Sequence, residues 1–230
     1  MRAKLQEWAK AWGIYSQVQR FYMKWRHFRH YTGRNWGARR RIVSRYVAST
    51  PTRKLHISCG ERVVPGWLNT DIYHGNIYLD ARARLPIASD SFHAVYSHHF
   101  IEHITFEELM TLLAECYRIL LPSGRIRLVT PDLEKILKVV EQADADMIAF
   151  FCAEDVIRNK AMLFNCLVLN QGEHKLIYDL ETLKRMLETV GFRDVVAYPY
   201  TYSDDSMFKG MDNHGYLYIG EVSLCIEATK

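Results

Sequence analysis

Residues 55–80 read LHISCGERVVPGWLNTDIYHGNIYLD. Three short apolar runs lie in this stretch: Leu55 to Ser58, Trp67 to Thr70 and Asn76 to Leu79. The first ends in Cys59-Gly60, the second in Asp71 and the third in Asp80. Each run has the length of a strand, and each stops at a residue suited to a ligand, a glycine or a carboxylate. In an open α/β sheet, ligands sit beyond the carboxyl ends of strands, where neighbouring loops diverge. Three successive strand ends carrying a glycine and two acids therefore sketch one nucleoside-sized pocket.

Downstream, strand and helix alternate, the pattern of a mostly parallel sheet. Leu85-Pro86 and Ser89-Asp90-Ser91 mark turns, and Phe92 to Ser97 reads as a fourth strand. Thr105 and Glu108 form a capping box that opens a helix with Leu109, Leu112, Leu113, Cys116, Tyr117 and Leu120 as its buried stripe. Pro122-Ser123-Gly124 is read as its stop, and Arg125 to Thr130 as a fifth strand. Residues 132–170 are helical in character but interrupted, too long for a simple crossover, and are expected to form a lid or substrate wall. Asp179 caps a helix with Leu180, Leu183, Met186, Leu187 and Val190 inward, closed by Gly191. Val195 to Tyr198 and Tyr216 to Ala228 read as the last two strands.

Composition sets the frame. The 230 residues, 49% of them hydrophobic, suffice for one substantial core and an appendage. Five scattered cysteines, with no C-x-x-C, suggest neither a zinc knuckle nor a disulfide framework and fit a reducing, cytoplasmic setting. No apolar run approaches the roughly 20 residues that span a bilayer. The N-terminus lacks the apolar core and small-residue cleavage site of a secretory signal. Charge is divided unevenly: residues 1–50 hold 12 Lys/Arg against one acid, and the rest 18 against 25. That break divides the chain into an extension, 1–50, and a main domain, 51–230.

The extension reads as an amphipathic helix over residues 2–31, with Leu5, Trp8, Ala11, Trp12, Tyr15, Val18, Tyr22, Trp25 and Phe28 on one face. Gly33 and Gly37 loosen the chain before a basic segment, Arg39-Arg40-Arg41. Four readings stay open: a helix packed over the ligand pocket, peripheral contact with an anionic membrane, RNA binding, and an organellar transit peptide.

LHISCG, GWLNTDI, LDARARLP, SFHAVYSHHFIEHI, ECYRILLPSGRIRLVTPDL, HKLIYD, MLETVGF and SLCIEATK resemble, in that order, a class I S-adenosylmethionine (SAM)-dependent methyltransferase. The branch most similar is the small methyltransferases associated with surface polysaccharides and lipid-linked sugars. The resemblance spans about residues 53–230. It implies a Rossmann-like α/β fold, with a seven-stranded, mostly parallel sheet, helices on both faces, an antiparallel last hairpin and an N-terminal helical extension. It implies SAM as cofactor, with Ser58, Cys59 and Gly60 as the loop beneath it and Asp71, with Ile72 beside it, at the ribose. Asp80 and Ala81 would then meet the adenine, and Ser97 and His98 the methionine. Ser58 stands where the glycine-rich pattern usually has glycine, and only ten residues separate Gly60 from Asp71. That connection is too short for a full crossover helix.

His99-Phe100-Ile101-Glu102-His103 spells H-x-x-E-H, a zinc-protease pattern, but such a site needs both histidines on one helix. Here the helix starts only at Thr105, so no metal is expected. Transfer of methyl to a hydroxyl requires alignment and a base, and histidine is the natural base near neutral pH. His99 and His174 are the candidates. The expected reaction is O-methylation of a sugar or other small hydroxyl acceptor, free or lipid-linked. The alternatives are an RNA methyltransferase recruited by the basic extension and a non-catalytic adaptor on the same fold.

Overall fold

The computed structural model describes residues 36–152, 157–213 and 218–230. The helix expected over residues 2–31, and the membrane contact assigned to it, lie outside them. Helix α1, Trp36–Ser49, precedes strands β1, Lys54–Ile57, β2, Leu68–Asp71, β3, Ile77–Tyr78, and β4, Phe92–His98. Helix α2, Phe106–Ile119, leads into β5, Leu120–Pro131. Three short helices follow: α3, Leu133–Gln142, α4, Ala145–Phe151, and α5, Lys160–Leu169. The chain closes with α6, Leu180–Val190, β6, Arg193–Tyr198, and β7, Ser223–Thr229.

The strands form one sheet in the order β3-β2-β1-β4-β5-β7-β6. β1 to β5 pair in parallel, and β7 runs antiparallel between β5 and β6. Helices flank the sheet on both sides, the Rossmann-like arrangement expected from the sequence. The order reverses between β1 and β4, and a ligand crevice opens at such a switch point.

One face of the sheet carries Leu55, Ile57, Val95, Ile126 and Leu128 against Leu109, Leu112 and Leu113 of α2 and Leu183 and Leu187 of α6. The capping box is present at the start of α2: Thr105 Oγ1 accepts from the Glu108 N–H, and the Glu108 carboxylate accepts from the Thr105 N–H. Two positions of the predicted stripe differ. Tyr117 is half-buried, and Leu120 already belongs to β5, paired with Phe92, so Ile119 completes the stripe. In α6, Leu180 is exposed rather than inward, because it stands in the first turn beside the Asp179 cap. β7 begins at Ser223, not near Tyr216; a 3-10 turn, Ile219–Val222, precedes it.

The segment read as a loosened basic stretch is helix α1, docked on the sheet. Val43 enters the core, and the Tyr46 hydroxyl sits 3.0 Å from the Lys54 and Gly66 carbonyls while accepting the Lys54 N–H. The opposite face of the sheet carries a polar row in register: Asn69, His56, Tyr96, Arg127 and Glu227, on β2, β1, β4, β5 and β7. All five are buried. A fully buried guanidinium needs compensating charge. Arg127 pairs with Glu227 at 2.5 Å and with Asp212, a residue of the β6–β7 connection. That connection covers the row, its Phe208 and Met211 packing on Trp67 and Tyr96.

Candidate functional site

β1 and β2 are joined by residues 58–67 without a crossover helix. Ser58 (φ 54°) and Gly60 (φ 53°) turn the chain in left-handed conformations, natural for the glycine and strained for the serine. The Cys59 N–H donates to the Thr70 carbonyl at 3.0 Å. The Gly60 N–H donates to Asp71 Oδ2 at 3.2 Å, so the first two strand tips meet directly. Asp71 Oδ1 accepts from the N–H groups of Tyr73 (2.6 Å) and His74 (3.2 Å). A carboxylate offers about four acceptor positions. Among the described residues three are filled, all by backbone N–H groups, leaving one on Oδ2. Gly75 (φ 79°) presses the β2–β3 turn onto this loop: a Cβ there would lie 2.9 Å from Cys59 Sγ and 2.7 Å from the Asn69 carbonyl. Burial, and then the charge of Asp71, pushes the Cys59 thiol up to about 11.

The third tip is tied to the second by the Leu79 N–H, which donates to the Asp71 carbonyl at 3.2 Å. Ile72 is half-buried and Ala81 buried. The Asp80 carboxylate is held by Arg82, through Nε at 2.9 Å and Nη2 at 2.8 Å. It opens on a cavity of about 230 Å³ shared with Trp36, Arg39, Tyr78, Arg84 and Pro86. Gly60 and Asp71 thus share one contact, and Asp80 faces a hollow beneath α1.

At the tip of β4, Ser97 is buried, and its Oγ has no hydrogen-bond partner among the described residues. Leaving a buried hydroxyl unpaired costs about 1–3 kcal/mol, a penalty that a polar ligand would relieve. The adjacent left-handed turn, the spare Asp71 acceptor and this orphaned hydroxyl fit a ribose-bearing cofactor with a polar tail. His98 follows, its ring centroid 4.6 Å from that of His99 and 6.2 Å from that of Tyr200.

His99 is engaged at both nitrogens. Nδ1 lies 3.0 Å from Glu102 Oε1, and Nε2 lies 2.9 Å from Ser223 Oγ. The order acid, imidazole, hydroxyl is that of a hydrolase triad. Ser223, however, is fully buried and directs its proton to the Ile219 carbonyl at 2.6 Å, so it presents no nucleophile. Burial raises the Glu102 carboxyl, but the bond from His99 and the nearby imidazoles outweigh it and hold it below the usual range. Glu102 Oε2 also accepts from Thr130 Oγ1 at 3.2 Å.

His103 and His174 also converge beside Glu102, ring centroids 4.9 Å apart. The Glu102 carbonyl accepts the N–H groups of Lys175 (2.7 Å) and Leu176 (3.3 Å), which docks the return from the α3–α5 region onto the β4 tip. Burial pushes the His174 imidazole below its ordinary value. The two candidate bases are therefore not together: His99 faces Ser223, and His174 faces His103. Reading the sequence did not find Tyr200, Ser223 or the Trp36–Tyr78 cavity. Each comes from a distant segment, and no local spacing marks it.

A family model described as a methyltransferase domain matches residues 32–128. No curated protein matches the chain. Among solved structures, a SAM-dependent methyltransferase from Archaeoglobus fulgidus is 21% identical, covering 84% of this chain and 92% of that one, with a TM-score of 0.48. One from Mesorhizobium loti is 15% identical over 85% and 97% of the two chains, with a TM-score of 0.47. Phosphoethanolamine N-methyltransferase 2 from Haemonchus contortus is 13% identical; the match covers 83% of this chain but 52% of that one, with a TM-score of 0.46. At these identities the likenesses say nothing of the acceptor. The methyltransferase-domain match thus lies over the strand tips that hold the paired Gly60 and Asp71.

Proposed function

We propose that this chain is an S-adenosylmethionine-dependent methyltransferase that O-methylates a sugar or another small hydroxyl acceptor, free or lipid-linked, as in surface polysaccharide pathways. When bound, SAM supplies an electrophilic methyl group on a sulfonium. The Ser58–Gly60 turn lies beneath it in this reading, and the open Asp71 Oδ2 position accepts one ribose hydroxyl. Ile72 stands beside Asp71, Asp80 and Ala81 border the adenine, and Ser97 and His98 the methionine end.

The observation that carries the hydroxyl reading is the set of imidazoles after β4, two pairs with ring centroids within 5 Å, beside the unpaired Ser97 hydroxyl. A hydroxyl must lose its proton as it gains a methyl group, and imidazole accepts protons near neutral pH. His174 is the better placed of the two candidates. Its Nδ1 is bonded to the Val168 carbonyl, which leaves the Nε2 lone pair open, whereas His99 must first release Ser223.

The test is transfer of isotopically labelled methyl from SAM to a panel of sugars, lipid-linked sugars, amines and RNA. An alkali-stable methyl ether on a sugar supports the proposal, and label in an amine or in RNA overturns it. A second reading draws on Arg40, Arg41 and Arg45, which are exposed on α1. They suit a polyanion, RNA or an anionic membrane, as the partner that presents the acceptor.

A further inference from the structure

Glu102, His103 and His174 form a cluster that the donor-binding account leaves unused. A carboxylate oxygen of Glu102 and one ring nitrogen from each histidine lie within 4.8 Å of one another. We propose that these three side chains bind a first-row divalent cation, zinc in the first instance, at the β4 tip.

The hydrogen bonds around the cluster prepare it for a metal. His103 Nδ1 lies 3.2 Å from the Glu173 carbonyl, and His174 Nδ1 lies 3.1 Å from the Val168 carbonyl. A carbonyl only accepts, so each Nδ1 carries the proton and each Nε2 of the neutral ring carries a lone pair. A backbone carbonyl fixing the tautomer of a ligating histidine is the usual supporting arrangement at protein metal sites. The third ligand is supported in the same way. Glu102 is wholly buried, Oε2 is held by Thr130, and among the described residues Oε1 has no partner but the His99 imidazole at 3.0 Å. The nearest lysine to follow the cluster, Lys175, turns its amine to Glu108 at 3.4 Å and so leaves the site to the cation.

Ligand type and reach decide the metal class. Two imidazoles and a carboxylate suit zinc and its first-row neighbours rather than calcium or magnesium, which prefer all-oxygen shells. Ligand atoms about 2.0–2.1 Å from a tetrahedral zinc stand about 3.4 Å apart. The cluster must therefore contract by about 1.4 Å at its widest, within the reach of imidazole rotation, since His103 and His174 are both partly exposed. Three protein ligands leave the fourth position open, the feature of catalytic rather than structural zinc. This is not the H-x-x-E-H arrangement weighed in the sequence. His99 does not contribute; His174, seventy-one residues after His103, takes its place.

At that open position a hydroxyl acceptor would be acidified by the cation and would release its proton to solvent at this partly exposed edge, with His174 serving as a ligand in place of a base. This consequence rests on the O-methylation reading; the binding itself does not.

The test is titration of the metal-stripped full-length protein with cobalt(II) and zinc(II), read by visible d–d absorption, thermal melting and metal analysis. One cobalt per chain with an intense tetrahedral-type spectrum, displaced by zinc, and a raised melting temperature are expected. His103→Ala and His174→Ala should each weaken binding about a hundredfold or more, beyond the 10–100-fold that loss of a supporting contact costs. His74→Ala, an exposed histidine elsewhere, should leave it unchanged. Glu102→Gln keeps the shape should Glu102→Ala not fold. Substoichiometric binding, or binding untouched in the His103→Ala/His174→Ala double variant, would overturn the proposal. Tight binding with transfer only to amines would retain the metal site and sink the hydroxyl reading alone.

Discussion

Asp71 bears the most at the scale of single residues, because one carboxylate closes the Gly60 turn, caps the Tyr73–His74 bend and keeps one acceptor position open. Asp71→Asn keeps the shape but replaces an acceptor oxygen with a donor and removes the charge. Its affinity for SAM should fall tenfold or more, with a hydrogen bond to a charged group worth about 1.5–3 kcal/mol. Equilibrium dialysis with labelled SAM measures it. Cys59 offers a second check. Its thiol ordinarily titrates at 9.0 and is raised to about 11 by burial and Asp71. The folded state therefore holds its proton where the unfolded state has lost it, so stability is full below pH 9 and declines as pH rises towards 11. Chemical denaturation at pH 8 and pH 10.5 should show that decline, reduced in Cys59→Ala. Alkylation of Cys59 at pH 8 should be slower than that of a free thiol.

Local chemistry writes some secondary structure plainly and leaves other parts blank. The Thr105–Glu108 capping box and the Asp179 and Gly191 ends of α6 stand in the sequence as they stand in the fold, because caps are satisfied by residues within one turn. Thr105→Ala should cost about 1 kcal/mol of stability, visible in urea unfolding. The β1, β2 and β3 tips were legible for a similar reason, since each strand stops at the residue that turns it. The starts of β5 and β7 were not. Leu120 joins a strand through its partner Phe92, and Ser223 begins one only where it can pair with Pro131, so both depend on distant chain. The same holds for the buried row: nothing near Arg127 in sequence announces Asp212 or Glu227. Arg127→Met leaves Asp212 buried without its cation, while Glu227 keeps Arg125 at 2.7 Å, and should destabilise by about 3–5 kcal/mol.

For the whole molecule, the sheet order brings β1 and β4 side by side with their carboxyl ends together. Gly60, Asp71, Ser97 and the histidines after β4 therefore gather at one edge although they span more than a hundred residues. The sequence marked these residues as candidates, but not how the histidines would divide, because His103 and His174 meet only after the α3–α5 region folds back onto Glu102. α1 adds a wall to the same edge at Tyr78 and Asp80. The measurement that addresses the central claim most directly is calorimetric titration of the full chain with SAM and with S-adenosylhomocysteine, repeated with Asp71→Ala. One site per chain for both ligands, with both lost in the variant, is predicted. Binding of neither ligand to the parent chain, or equal binding to the variant, would contradict it.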